Sequence, residues 1–265
     1  MTRLPEKVIV VIGGTTGLGL SAAKQFVREE AKVVVVGRNA ESALSALTSL
    51  GSNARSLIGD ATNPATAINA IDLAVREFGK LDGVYHVAGG SGRKQGDGPL
   101  HEITDAGWDF TLNLNLTALF YSNRAAVLQF LKQGTGGSVL NIGSVLGYAP
   151  SPRFFATHAY AAAKSAVIGL TKSSAAFYAS RNIRFNLLVP ALVETPMSER
   201  AVSNPDIVAF IRTKQPLDGG RIGAPEDLDG AATFFMSDES RFVTGQLLAI
   251  DGGWSISEGQ IPPGS

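Results

Sequence analysis

The sequence predicts an α/β protein built on a doubly wound, seven-stranded parallel sheet with helices on both faces. Three observations carry that prediction. Short continuous apolar runs, led by Val8-Ile-Val-Val-Ile12, recur along the chain, as expected of strands buried on both faces of a parallel sheet. Between the runs lie stretches with apolar residues at helical spacing, so strand and helix alternate. The first run also passes directly into Gly13-Gly-Thr-Thr-Gly-Leu-Gly19, and Leu18, Ala22 and Phe26 then recur with helical period. A glycine turn between strand and helix lets backbone approach a phosphate, and the helix start offers unpaired N–H groups and a positive dipole end.

The remaining elements follow in order. The second strand covers residues 32–36, with a helix at about 40–50. The third covers 54–58 and ends at Gly59-Asp60. Asn63 then caps a helix with Pro64 at its first position, running to about Phe78. Residues 81–87 contain the fourth strand, and the Gly- and charge-rich stretch 89–98 is a loop. A long helix spans about 105–132, and the fifth strand is 138–142. Another long helix, with Tyr160 near its start, reaches about residue 180. The sixth strand, 183–189, is stopped by Pro190. Prolines and glycines break the stretch 194–223 into short helical pieces, the expected substrate lid. Pro225-Glu-Asp opens a helix to about 237, and 246–250 is the seventh strand. No linker or repeat interrupts the pattern, so residues 1–265 form a single domain, with a loose or interface-bound tail at 259–265.

Composition narrows the function classes. Hydrophobic content of 45% suffices for a core, and charged content of 17% is too low for a disordered chain. Lys+Arg and Asp+Glu are both 23, so no basic surface for nucleic acid or an acidic membrane is expected. The absence of cysteine excludes disulfides, thiolate metal sites and a cysteine nucleophile. His86, His101 and His158 lack metal-ligand spacing, so no metal is expected. The chain enters its first strand without a signal peptide, and its apolar runs are too short to span a bilayer. A cytoplasmic protein is the expectation.

Two local features point to chemistry. Tyr160 and Lys164 are four residues apart, one turn along the same helix face. A phenol titrates near pH ~10, and a nearby ammonium lowers that value at about 1.4 kcal/mol per unit. A shift of two or three units would bring Tyr160 within range of general acid/base work. The spacing alone is common; the alternative is a pair flanking a surface helix. The second feature is Gly37-Arg38-Asn39 at the end of the second strand. Dinucleotide folds typically place an acid there for a ribose 2′-hydroxyl, whereas an arginine suits a 2′-phosphate. NADP(H) is therefore favoured over NAD(H), with a solvated surface arginine as the alternative reading.

From residue 8 to residue 254 the sequence resembles the short-chain dehydrogenase/reductase family. Gly13, Gly17 and Gly19 match its TGxxxGxG motif, with Ile12 where threonine is usual. Tyr160 and Lys164 match YxxxK, and Ser144 matches the catalytic serine. Trp108-Asp109 followed by Asn115 matches the helix of the catalytic asparagine, the offset favouring Asn115 over Asn113. His86-Val87-Ala88-Gly89 matches NNAG only in its second half, which leaves the packing at His86 open. Residues 190–195 resemble PGxVxT, with Ala191 in place of glycine. The gap from Ser144 to Tyr160 is longer than usual and suggests a bulged loop at 150–158 beside the substrate.

The resemblance implies a Rossmann fold and hydride exchange between NADP(H) and a carbonyl or secondary alcohol. Tyr160 would be the general acid/base, Ser144 would stabilise the oxygen, Lys164 would act on Tyr160 and the nicotinamide ribose, and Asn115 would keep a water for a proton relay. The cofactor would lie along Gly13, Thr16, Gly17, Leu18 and Gly19. Arg38, Asp60 and Ala61 would take its adenosine end, with Asp60 by the adenine. Ala88 and Gly89 would form an edge of the site, and Pro190, Val193 and Thr195 would hold the nicotinamide amide. The family further implies a homotetramer, with a dimer as the alternative. Rival classes are a nucleotide-sensing protein, whose relatives usually lose the Tyr–Lys pair, and a cofactor-free lyase-like protein, against which the glycine loop and Arg38 argue. Substrate identity is unread. Met197, Val202, Ile207, Phe210 and Ile211 suggest a partly apolar pocket or the lid's own core. Arg93 and Lys94 are expected to be solvated, His158 to be a polar residue at a helix start, and Phe154 and Phe155 to line the pocket or pack on a subunit. No anion clamp is readable.

Overall fold

A run of five fully buried apolar residues, Val8–Ile12, forms β1 in the interior of the sheet, between β2 and β4. Its side chains alternate between two cores. Ile9 and Val11 pack on one face, while Val8, Val10 and Ile12 pack on the other. That is why the run shows no polar alternation: neither face meets water. The computed structural model describes residues 2–261. Part of the tail expected to be loose, 262–265, lies outside the described residues.

The chain then winds as α1 (Gly17–Arg28), β2 (Lys32–Gly37), α2 (Ala40–Leu50), β3 (Ala54–Ile58), α3 (Pro64–Phe78) and β4 (Gly83–His86). Next come α4 (Asp105–Leu112), α5 (Ala118–Gln133), β5 (Gly137–Ile142), α6 (Pro152–Phe155), α7 (His158–Tyr178) and β6 (Ile183–Pro190). The last elements are α8 (Glu199–Val202), α9 (Pro205–Lys214), α10 (Asp229–Met236) and β7 (Leu247–Ile250). All seven strands are parallel, in the order β3-β2-β1-β4-β5-β6-β7. The order reverses between β1 and β4, where such folds open a crevice at the carboxyl ends. Helices α1, α2 and α10 cover one face, and α3, α5 and α7 the other.

The sequence expectations hold for every strand within two residues, apart from β4, which is the core of its broader window. Asn63 accepts the N–H of Ala65 at 3.0 Å and Pro64 opens α3, while Gly79 ends it in a left-handed turn at φ 85°. Two helices differ. The one expected over 225–237 begins as a tight turn at Pro225–Leu228 before α10. The long helix expected over 105–132 is interrupted by a widened π turn at Asn113–Thr117. Its cause is Asn115, whose Nδ2 donates to the Thr111 carbonyl at 2.9 Å and competes with backbone for that acceptor.

The segment 194–223 leaves and rejoins the domain at one place. Val193 bridges Gly223, and the Glu194 N–H donates to the Gly223 carbonyl at 2.8 Å. Between these ends, Ile207, Phe210 and Ile211 are buried in a third core with Trp254 and Val189. They are therefore lid core, whereas Met197 lines the pocket beside Ser144 and Tyr160.

Asp229 is a buried acid between α1 and α10. Its Oδ2 accepts from Ser21 at 2.7 Å, while Oδ1 has no protein partner. Burial pushes its pKa up to about 6, against the Ser21 hydrogen bond. The folded protein therefore keeps a proton that the unfolded chain has lost between about pH 4 and about pH 6. Stability from this group is full below about pH 4 and falls as pH rises to about 6. Asp229→Asn is expected to remove that decline, on the order of 2–3 kcal/mol. Urea unfolding of both proteins at each end of the range measures it.

Candidate active site

The loops that follow β1 to β6 at the carboxyl edge of the sheet all contribute to one cleft. After β1, Thr16 precedes α1 without a side-chain cap, so the N–H groups of the first turn face the cleft available to an anion. Gly13 turns with φ 86°, and a Cβ there would stand 2.6 Å from the Ala88 nitrogen. Gly17 has φ 50°. Gly19 faces away from the cleft, against the Gly13 carbonyl, where no side chain fits. Thr16, Gly17 and Leu18 line the cleft with Arg38, Asp60 and Ala61 from the ends of β2 and β3, Ala88 and Gly89 after β4, and Thr195. Pro190 and Val193 line its inner end beside Lys164. A glycine cradle, an uncapped helix start and an exposed arginine suit a dinucleotide with its phosphates.

Arg38 is exposed, with Nη1 4.0 Å from Asp60 Oδ2. Asp60 turns its other oxygen onto Thr62, accepting the backbone N–H and the hydroxyl at 2.8 Å each. Those bonds, led by the backbone one, and the Arg38 charge hold its carboxyl below the usual range against partial burial.

Deeper in, Ser144, Tyr160 and Lys164 form a common wall with Gly143 and Leu192. Ser144 caps the turn after β5, accepting from the Leu146 N–H at 3.2 Å, and its hydroxyl is near enough to the Tyr160 phenol to favour the phenolate. Lys164 is buried, donates to the Ile142 carbonyl at 3.0 Å and lies 5.6 Å from the centre of the Tyr160 ring. Burial pushes Lys164 down to about 8. Burial also pushes the Tyr160 phenol up to about 12, only partly offset by Ser144. This corrects the expected lowering. The ammonium is directed at Ile142 and is itself weakened by burial, so desolvation of the phenol dominates.

Asn115 is fully buried, and its amide pairs both ways with Gly90. Oδ1 accepts the Gly90 N–H at 3.0 Å, and Nδ2 donates to the Gly90 carbonyl at 2.9 Å. Asn113 is exposed. A Cβ on Gly89 would sit 2.9 Å from Asn115 Oδ1 and 3.6 Å from Lys164 Nζ, so the two side chains converge beneath that glycine.

The packing question at His86 has an answer. Nε2 lies 3.0 Å from the Ala88 carbonyl and Nδ1 2.9 Å from the Ser122 hydroxyl. A carbonyl only accepts, so Nε2 carries the proton and Nδ1 receives the Ser122 hydroxyl. Burial, aided by Lys164, pushes the ring down to about 3, so it stays neutral. His86 thus fixes the Ala88 peptide at the edge of the cleft. His158 is exposed at the start of α7.

Sequence reasoning missed the group that positions Tyr160. Asp97 is buried; Oδ1 accepts the Ala159 N–H and Oδ2 the Tyr160 N–H, each at 3.0 Å. A cap supplied from 62 residues upstream carries no local signature. Also missed were Thr15 and Gly37, packed together on the cofactor side of the cleft. Two further expectations change. Arg93 is half-buried, donates to the Phe154 carbonyl at 3.2 Å and lines the adjoining pocket. The bulged loop is the short α6, with Phe154 against Phe210 and Phe155 against Trp254, ring centres 5.3 and 5.6 Å apart. Phe155 lines the pocket together with Ser144 and Tyr160.

A parallel sheet with a phosphate cradle at its reversal point and a Ser–Tyr–Lys wall beside it defines a nicotinamide-dependent oxidoreductase acting on alcohol or carbonyl groups. The chain belongs to the short-chain dehydrogenase/reductase family. Residues 13–255 match the family model described as enoyl-(acyl carrier protein) reductase. The chain is 35% identical to the 2,5-dichloro-2,5-cyclohexadiene-1,4-diol dehydrogenase LinX of Sphingobium indicum, over 96% of this chain and 98% of that one. It is 33% identical to the NADP-dependent (R)-specific alcohol dehydrogenase of Lentilactobacillus kefiri, over 96% and 98%. A solved short-chain type dehydrogenase/reductase from Mycobacterium ulcerans superposes with a TM-score of 0.88 at 30% identity, covering 97% of this chain and 92% of that one.

Asp97→Ala is expected to destabilise the protein by about 1–2 kcal/mol through loss of the α7 cap. It should also lower kcat by displacing Tyr160, and Asp97→Asn, keeping one acceptor, should fall between. Urea unfolding and steady-state kinetics on the same preparations check both effects.

Proposed function

We propose that this protein is an NADP(H)-dependent carbonyl reductase, acting in reverse as a secondary-alcohol dehydrogenase, with Tyr160 as general acid/base. The observation that carries this reading is that Ser144 and Tyr160 line both the cofactor cleft and the adjoining pocket. A carbonyl in that pocket would meet their hydroxyls on one side and the nicotinamide region on the other. A bound nicotinamide would supply or accept the hydride.

The chain's own groups account for the rest. With its pKa near 12, the Tyr160 phenol is protonated at neutral pH and donates to the oxygen of a carbonyl under reduction. The oxidative direction needs the phenolate, so alkaline pH favours it. Ser144 stabilises charge on the same oxygen. Lys164, cationic below about pH 8, supports the phenolate and faces the ribose side of the cleft. Asn115 keeps the Gly89-Gly90 edge in place through its two bonds to Gly90 and serves the proton relay beside Lys164. Arg38 holds the 2′-phosphate; its exposed fork at the end of β2 and the NADP dependence of the Lentilactobacillus relative support that preference. The segment 194–223 acts as the substrate lid, closing over its own apolar core.

Calorimetric titration of the protein and of Arg38→Ala with NADPH and NADH tests the reading. NADPH is expected to bind more tightly, with the preference reduced roughly 10- to 100-fold in the variant. Tyr160→Phe should keep that affinity and lose kcat on the order of 100- to 10,000-fold. Tighter NADH binding would overturn the NADP assignment, and binding of neither would overturn the enzyme reading.

A cytoplasmic homotetramer completes the proposal. Among the described residues no helix is long and apolar enough to cross a membrane. Leu128 and Leu131 on α5 and Phe177 on α7 are exposed, as Phe242 and Ile256 are beside β7. Apolar surface on two separate regions is what a tetramer with two kinds of contact would cover. Sedimentation velocity at micromolar concentration should give a tetramer; a monomer alone would refute the assembly.

A further inference from the structure

The pocket beside Ser144 and Tyr160 contains two arginines that the proposed reaction leaves without a role. Arg93 enters from the loop after β4 and Arg200 from α8. Their Nη2 atoms converge on one acceptor, the Phe154 carbonyl oxygen, at 3.2 and 3.3 Å. Two cations are thereby held side by side at the wall of an otherwise largely apolar pocket floored by Phe155 and Trp254.

Among the described residues no carboxylate forms an ion pair with either of them, none lying within 4.0 Å, whereas Arg3, Arg55 and Arg221 each hold one at 3.0 Å or less. Asp97 is the acid whose charge reaches Arg93, and both its oxygens are taken by backbone N–H groups of α7. A guanidinium has five N–H donors, and each of these two uses one on Phe154. Bracing one neutral carbonyl does not call for two like charges; partial burial first, and then the Arg200 charge, disfavour the charged form of Arg93. An anion between the two forks would relieve both penalties and meet matched donors.

We propose that the substrate is a carbonyl or hydroxy compound bearing an anionic group (carboxylate, sulfonate or phosphate), with Arg93 and Arg200 holding the anion while Ser144 and Tyr160 hold the reacting oxygen. The assignment rests on the reductase reading and narrows its substrate class. The apolar floor packs the carbon chain between the two ends.

Matched probes test it. The oxo acids 2-oxobutanoate, 4-oxopentanoate and 5-oxohexanoate are compared with their primary amides in NADPH-dependent reduction, with an oxo sulfonate and an oxo phosphate as further arms that identify the anion. At least one acid should exceed its amide by roughly 10-fold or more in kcat/KM. Arg200→Gln and Arg93→Gln should each lower the acid's kcat/KM by roughly 10-fold, mainly through KM, and leave the amide within about twofold. Acids and amides reduced alike by the wild type, or equal losses for both in the variants, would overturn the proposal and leave the arginines as braces of α6. Arg200 is exposed, so its variant stays informative if the Arg93 change disturbs folding.

Calorimetric binding of the same acids and amides separates this inference from its parent. If no carbonyl is reduced but an acid binds and its amide does not, with the difference lost in Arg200→Gln, the reductase reading fails and the anion site stands. Equal binding of acid and amide overturns the site.

Discussion

Seven strands running in one direction cannot be joined by hairpins, and the rest of this molecule follows from that constraint. Each connection crosses a face of the sheet, so both faces are covered and the strands are apolar on both sides. Every strand also ends at the same edge. Gly13, Arg38, Asp60, Ala88, Ser144 and Pro190, scattered over most of the sequence, become neighbours because each follows or ends a parallel strand. The cradle at β1 is possible because glycine allows backbone within a side chain's width of Ala88.

The same burial that stabilises the sheet sets the chemistry of its edge. Lys164, Tyr160 and His86 all have their ionisation governed first by loss of water, each driven away from its charged form. The result is a protonated phenol, a lysine that titrates close to physiological pH and a neutral imidazole that serves only as a brace. Hydrogen bonds keep these groups satisfied: Ile142 holds the ammonium, and Ala88 and Ser122 hold the imidazole.

One loop, residues 90–98, links positioning to recognition. Gly90 is clamped by Asn115, Arg93 enters the pocket, Asp97 caps the helix that carries Tyr160, and the Gly98 carbonyl accepts the His158 N–H at 3.1 Å. The π turn at Asn115 is part of this arrangement, since the same amide that opens the helix reaches Gly90. A displacement of the loop backbone at Gly90, Asp97 or Gly98 would therefore bear on Tyr160 and on the pocket together, whereas the Arg93 side chain reaches only the pocket.

By itself the sequence determined the succession of strands and helices, the glycine turn, the helix start at Asn63 and Pro64, and the placing of Tyr160 and Lys164 one turn apart. All of these depend on periodicity or on residues within a few positions of each other, where geometry follows from helix and strand repeats. Resemblance extended that reading to Asn115 and Ser144. Tertiary structure alone decided what required distant segments to meet. Asp97 caps α7 from another loop, Arg93 and Arg200 converge on Phe154, and Ile207, Phe210 and Ile211 turn into the lid's core. It also decided the direction of the Tyr160 shift. Spacing places a lysine one turn away, but the balance between its charge and the phenol's desolvation depends on where each group points and how much water the surrounding chain removes.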